Sequence, residues 1–280
     1  MAYTTIDDPT IYFNTKLYTG NGGTNAQTGV GFQPDWVWIK NRSGADHHSI
    51  YDSVRGANKY LSSSRNIAEA TQSDGLMSFN SDGFTVAADG GVNTNSNNFV
   101  AWNWKAGTTG SGTTTGSGTG KAYSYSVSTT AGFSIVKYLG NGTAGHTIPH
   151  HLGVVPKMMV IKKLSGTSSW YVYSSVLGNN KAVYWNSTSA EDTENTIWNQ
   201  TTPSSSVMTL GSSNASNEND QSYVVYLFAD IQGYSKVSGS YIGTGNADGP
   251  FIYTGFKPAF VLCKNTGNGG AQWLMVDNKR

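Results

Sequence analysis

A single cysteine, Cys263, stands among 280 residues, which excludes an internal disulfide framework. Charge is scarce as well. Asp, Glu, Lys and Arg together make up 12 % of the chain, about half the usual share. The net charge of +1 gives no electrostatic footprint for nucleic acid or an anionic lipid surface, so neither is expected as a partner. No apolar run approaches the length of a membrane span, and the opening "MAYTTIDDPT" lacks the pattern of a signal peptide. Synthesis and folding in a cytoplasm are therefore expected, and membrane insertion is not. The Ala, Leu, Glu and Lys that long helices prefer are also sparse.

Gly, Ser, Thr and Asn fill the polar positions, a composition suited to strands and turns. The 8 Trp and 16 Tyr supply enough large side chains for substantial cores. These residues are arranged in internal repeats. "LYTGNGG" at 17–23 recurs as "YLGNGTA" at 138–144 and as "YIGTGNADG" at 241–249. Each is followed by a proline-led apolar run: "GFQPDWVWIKNR", "LGVVPKMMVIKK" and "GFKPAFVLCKN". The pairs Tyr18–Pro34, Tyr138–Pro156 and Tyr241–Pro258 lie 16, 18 and 17 positions apart. Such self-similarity is the signature of repeated structural units.

Aligned on their prolines, the runs pair Trp36 with Met158 and Phe260, Trp38 with Val160 and Leu262, and Lys40 with Lys162 and Lys264. A stacking platform for a sugar or base would keep its aromatic residues, whereas these positions accept any large apolar group. Val37 and Ile39 are apolar too, so the run predicts a central strand buried on both faces, with Trp36 and Trp38 in the core. The closing stretch "NNFVAWNWKAG" at 97–107 likewise matches "QSYVVYLFADI" at 221–231. Between these ends, "HHSIYDSV", "KYLSSS" and "SDGFTV" correspond to "SSWYVYSSV", "KAVYWNS" and "SVMTLG" as short strands. "NIAEAT" and "AEDTENTIWN" are read as short helical turns.

The resulting expectation is an all-β chain of tandem antiparallel β-sandwich, jelly-roll-like domains joined by flexible linkers. Residues 1–16 are a lead-in, 17–106 the first repeat and 122–232 the second. The stretch 107–121, "GTTGSGTTTGSGTGK", reads as a flexible Gly/Ser/Thr linker. Residues 233–280 form an incomplete third repeat that cannot cover its own apolar strands. Either the chain is a fragment of a longer protein or this part packs on a neighbouring subunit.

Candidate chemistry is thin. No nucleophile elbow, zinc-protease, phosphate-loop or dinucleotide motif is present, so no catalytic residue, cofactor or metal is assigned and the chain is read as non-enzymatic. Cys263 takes the strand position of Ile39 and Ile161 and reads as a small core residue. "HTIPHH", with His146, His150 and His151, and the pair His48/Asp52 lack three or four donors converging on a metal and read as turn or surface groups. Glu191, Asp192 and Glu194 read as a solvated loop. One binding option remains: Trp185 and Trp198, in a Tyr- and Asn-rich loop, are candidates for stacking on a sugar, the alternative being that both fold back on their domain.

"MAYTTIDDPTIYFNTKLYTGNGG", "QPDWVWIKNR", "DSVRG", "SFNSDGF" and "NNFVAWNWKAG", in that order, resemble a family of repeat-containing, tail-fibre-like virion structural proteins of marine bacteriophages. "SYSVSTTAGFSIVKYLGNGTAGHTIPHHLGVVPKMMVIKK" and "YSKVSGSYIGTGNADGPFIYTGFKPAF" resemble its later repeats. The resemblance implies a structural component of a phage particle, a tail fibre, appendage or capsid-surface protein contributing to host adsorption. It would reside in the virion after assembly in the host cytoplasm. Other virion proteins and further copies of the same chain would be its partners, with a host-surface glycan as a further one. A lectin-like glycan-binding module without enzymatic activity is the alternative.

Overall fold

The computed structural model describes residues 3–280. Repeat 1 opens with a single 3-10 turn, Pro9–Ile11, where Asp8 accepts from the Thr10 N–H and proline takes the first helical position. Its strands are β1 (Phe13–Thr19), β2 (Asn25–Gln27), β3 (Trp36–Asn41), β4 (Ser49–Asp52), β5 (Lys59–Tyr60), β6 (Ala70–Thr71), β7 (Leu76–Asn80) and β8 (Gly83–Val86). The short helix α1 (Gly90–Asn93) and the closing strand β9 (Asn98–Trp104) complete it. Repeat 2 carries β10 (Thr108–Thr113), β11 (Thr115–Gly116), β12 (Ala122–Ser128), β13 (Phe133–Leu139), β14 (His146–Pro149) and β15 (Met158–Lys163). It continues through β16 (Tyr171–Ser174), β17 (Lys181–Tyr184), β18 (Asp192–Thr193), β19 (Val207–Leu210) and the closing strand β20 (Ser222–Phe228). Repeat 3 contributes β21 (Phe260–Cys263) and β22 (Leu274–Asp277).

The expected all-β architecture is observed, and each of the first two repeats is a two-layer sandwich of antiparallel sheets. In repeat 1 a sheet of order β1-β9-β3-β4 faces one of order β2-β8-β7. Val37, Ile39, Tyr51, Phe84, Val86, Phe99 and Ala101 fill the space between them. In repeat 2 the order β13-β20-β15-β16 repeats the first sheet, and β14-β19 repeats the second layer. Strand alternation sends Met159, Ile161, Val225 and Leu227 into that second interior.

The repeated turn motif has a matching lock. The buried Asn93 side chain accepts from the Asn21 N–H and donates to the Gly23 and Ala87 carbonyls. Asn217 does the same for Asn141, Thr143 and Gly211. Tyr18 and Tyr138 donate to the carbonyls of Val92 and Ser216. Each lock comes from the end of its repeat and holds the turn at its start. Around the third copy of the motif, residues 241–250 are all exposed and form no strand.

Three expectations are corrected. The stretch 107–121 is not a free linker: β10 pairs along its length with β12, from Thr108↔Val127 to Thr113↔Ala122. Its glycines allow this, because a Cβ on Gly110 would lie 2.6 Å from the Tyr125 hydroxyl and one on Gly112 would meet the Tyr123 ring at 3.0 Å. Glycine therefore serves close packing here rather than flexibility. The lead-in is not separate, since β1 begins at Phe13 and pairs with β9. "NIAEAT" and "AEDTENTIWN" contain β6 and β18 and turns, and no helix. The helix at 90–93 has no sequence signal, because "GGVN" is too short to show a helical period.

Candidate functional site

Trp36 and Trp38 lie in the central strand β3 and are 1 % and 3 % exposed. What covers them is not their own second sheet. Even-numbered positions of β3 face outward from repeat 1, and the corresponding face of repeat 2, with Ile135, Val160, Val172 and Tyr226, closes on them. Phe260, Leu262, Trp273 and Met275 of the third repeat pack on the same cluster. The three positions that align in sequence, Trp36, Met158 and Phe260, thus converge on one core. Trp36 alone sits 4.4 Å from the Trp104 ring and 4.8 Å from Tyr226. An aromatic side chain of this size buries about 150–250 Å², or about 4–6 kcal/mol at ~25 cal/mol per Å².

Polar contacts across this junction follow a cyclic rule. Tyr226 of repeat 2 donates to Asp52 of repeat 1 at 2.7 Å. Trp102, which aligns with Tyr226, donates from Nε1 to Asp277 of repeat 3 at 3.0 Å. Asp277 aligns with Asp52, and both hold an arginine three residues on: Arg55 Nε at 2.5 Å and Arg280 Nε at 2.6 Å. Burial opposes the Arg55 charge, but Asp52, Tyr226 and Glu69 outweigh it and hold the guanidinium above its ordinary pKa. Burial would raise Asp277 too, yet the Lys279 N–H, the Trp102 indole and Arg280 keep it below the usual carboxylate range.

Hairpin carbonyls meet the repeated lysine. Lys40 Nζ donates to the carbonyls of Asn41, Gly44 and Asp46, and Lys264 Nζ to those of Asn265 and Ala271. "KNR" is thus a strand end whose lysine staples its own turn.

The two sugar-stacking candidates are corrected. Trp185 belongs to the shared core, 4.8 Å from the Trp38 ring. Trp198 is fully buried, packs on Tyr173 and donates to the Lys181 carbonyl. Neither ring face is open to a ligand, because the loop folds both back onto the strands. Cys263 is only half-buried, and burial pushes its thiol up. The second sheet that covers Ile39 and Ile161 has no counterpart in the third repeat among the described residues.

The histidines are engaged separately. His146 bonds Asn217 and Thr114, and His150 bonds the Ser204 carbonyl. His151 stacks on Tyr125. His48 Nδ1 accepts from Trp38 Nε1, while Asp52 holds Arg55. Burial, with Lys40, Arg280 and His47 adding to it, lowers His48 to about 4. No group of three or more His, Cys, Asp and Glu converges as a metal site among the described residues. No helix among the described residues is long and apolar enough to cross a membrane.

Two clefts open at the junction. One, of about 590 Å³, runs beside β10 and includes Asp35, Ser53 and Tyr125. The other, of about 540 Å³, lies between Lys40–Gly44 of repeat 1 and Met275–Arg280 of repeat 3. It is the cationic mouth of the seam between the first and third repeats, with Lys40, Arg42 and Arg280 set against Asp277.

No curated protein and no solved structure matches the chain. The model of a domain of unknown function, DUF7483, matches residues 8–280, and the chain belongs to that family.

Proposed function

We propose that the protein is a structural component of a bacteriophage particle, a tail-fibre-like appendage or capsid-surface protein, residing in the virion after assembly in the host cytoplasm. One observation carries the reading: the repeats are joined through a shared aromatic core and buried cross-repeat hydrogen bonds. Apolar burial on this scale resists separation of the repeats, as a mechanical part requires. The ordered resemblance of the repeat motifs to marine phage virion proteins points the same way. The reading assigns no catalytic step, and its partners are other virion proteins and further copies of the chain.

A contribution to host adsorption would have to use loops other than those of Trp185 and Trp198, since both rings are buried. A lectin-like function therefore has no specific observation behind it. The test is mass spectrometry and antibody labelling of gradient-purified particles of a phage encoding the chain. Stoichiometric recovery with the particle and labelling at a fixed position are expected. Presence in the infected lysate but absence from purified particles would refute the proposal.

A further inference from the structure

Two seams between repeats are closed by the same backbone contacts. Between repeats 1 and 2, the Glu69 N–H donates to the Leu164 carbonyl at 2.9 Å, and the Ser168 N–H to the Asn66 carbonyl at 2.8 Å. The Trp170 indole donates to the Ser62 carbonyl at 2.8 Å. Between repeats 2 and 3, the Glu191 N–H donates to the Thr266 carbonyl and the Gly270 N–H to the Thr188 carbonyl, both at 2.9 Å. The Trp273 indole donates to the Tyr184 carbonyl at 2.8 Å. In alignment Glu69 matches Glu191, Leu164 matches Thr266 and Ser62 matches Tyr184, and Trp170 matches Trp273 because strand register makes the third hairpin one residue longer. In each case the hairpin of the later repeat reads the backbone of an extended segment of the earlier one, 59–71 or 181–193.

We propose that the cleft between the first and third repeats is the third such seam, a docking site for an extended segment of the same kind as residues 59–71, presented by another repeat of this family.

Arg42 and Arg280 line the cleft, and His48 lies on the hairpin that forms one wall. Arg42 aligns with Leu164 and Thr266, and among the described residues no backbone N–H is bonded to its carbonyl. His48 aligns with Trp170 and Trp273. Because its Nδ1 accepts from Trp38 at 2.9 Å, the neutral ring carries its proton on Nε2, a donor where the other two seams have an indole N–H. Arg280 completes the set. Arg55 spends Nε on Asp52 and Nη2 on the Ile50 carbonyl, and its Nη1 binds the Glu69 carboxylate at 3.0 Å. Arg280 likewise spends Nε on Asp277 and Nη2 on the Met275 carbonyl, which leaves Nη1 for a glutamate. The occupant is therefore specified: a backbone carbonyl toward His48 and, seven residues later as from Ser62 to Glu69, a glutamate. Its N–H meets the Arg42 carbonyl and its carboxylate meets Arg280. The cationic lining of the cleft suits that acid.

This inference stands apart from the proposed role in a virion, because it concerns what the surface recognises, wherever the protein resides. The test titrates the full chain into a fluorescein-labelled peptide of sequence "KYLSSSRNIAEAT", residues 59–71, and reads anisotropy. Saturable binding of one peptide per chain is expected, with a dissociation constant on the order of micromolar. The peptide carrying Glu69→Gln should bind about tenfold more weakly, as should the native peptide with chain R280Q. The two losses should not add in the combined titration, since both remove one ion pair. The R280Q arm also separates docking at this cleft from exchange of the peptide into the seam between repeats 1 and 2, which that substitution does not touch. No saturation up to about 1 mM, or both glutamine changes leaving affinity within about twofold, would overturn the proposal.

Discussion

Replacing Asp52 with alanine should strip the buried Arg55 of its closest counter-charge. Both side chains are fully buried, and the Asp52 carboxylate holds the Arg55 N–H and Nε as well as the Tyr226 hydroxyl from the other repeat. Removing one partner of such a pair typically costs about 3–5 kcal/mol, because an uncompensated charge stays in low dielectric. Glu69 still reaches Arg55 at 3.0 Å, but its side chain is 18 % exposed and its pairing is partly screened. The expected loss for Asp52→Ala is therefore about 4 kcal/mol, a large part of the 5–15 kcal/mol typical of a domain. The same change at Asp277 should cost about 1–2 kcal/mol, since Arg280 is 27 % exposed and can turn to solvent. A double replacement, Asp52→Ala with Arg55→Met, removes both charges and should recover most of the loss. Urea unfolding followed by tryptophan fluorescence and far-ultraviolet circular dichroism measures each value, provided the two signals coincide. A single-variant loss under about 1 kcal/mol, or a double variant no more stable than Asp52→Ala, would refute the argument.

Trp38→Ala should cost about 3–5 kcal/mol in the same assay, through lost burial and a cavity at the junction. Trp36→Phe should cost less than Trp38→Phe, because the buried Trp36 Nε1 has no partner among the described residues whereas Trp38 Nε1 bonds His48. His48 and His150 are both lowered by burial to about 4 from 6.5, so the unfolded chain binds more protons in that window. Stability should be full above pH 6.5 and fall as the pH drops towards 4. His150→Gln should flatten a melting-temperature profile over that range. Trypsin should nick the native protein first at the exposed Lys236 and spare Lys105 and Lys121 beside the paired stretch 107–121. Early release of two fragments split near residue 107 would contradict that pairing. Gly110→Val should lower the melting temperature by pushing the Tyr125 ring off β10, a shift differential scanning calorimetry would register.

Much of this was written in the chain. The repeats, the strand identity of "WVWIK" and its counterparts, and the burial of Trp36 and Trp38 follow from alternation and from alignment of one copy with another. Both are local signals that survive without knowledge of the fold. The partners of these groups were not legible. Composition marks 107–121 as loose, but a glycine strand becomes ordered once tyrosine rings lie across it, and Tyr123 and Tyr125 reach β10 only through the pairing of β12. Trp185 and Trp198 look exposed in a polar loop, and only the path of that loop carries both into cores. The pairs Asp52–Tyr226 and Asp277–Trp102 join residues 174 and 175 positions apart. A sequence fixes which faces are apolar, because that depends on neighbours two residues away. Which apolar faces meet depends on the shape and free energy of the whole assembly. Here that choice turned three similar strands, each able to line a sandwich of its own, into the walls of one shared core.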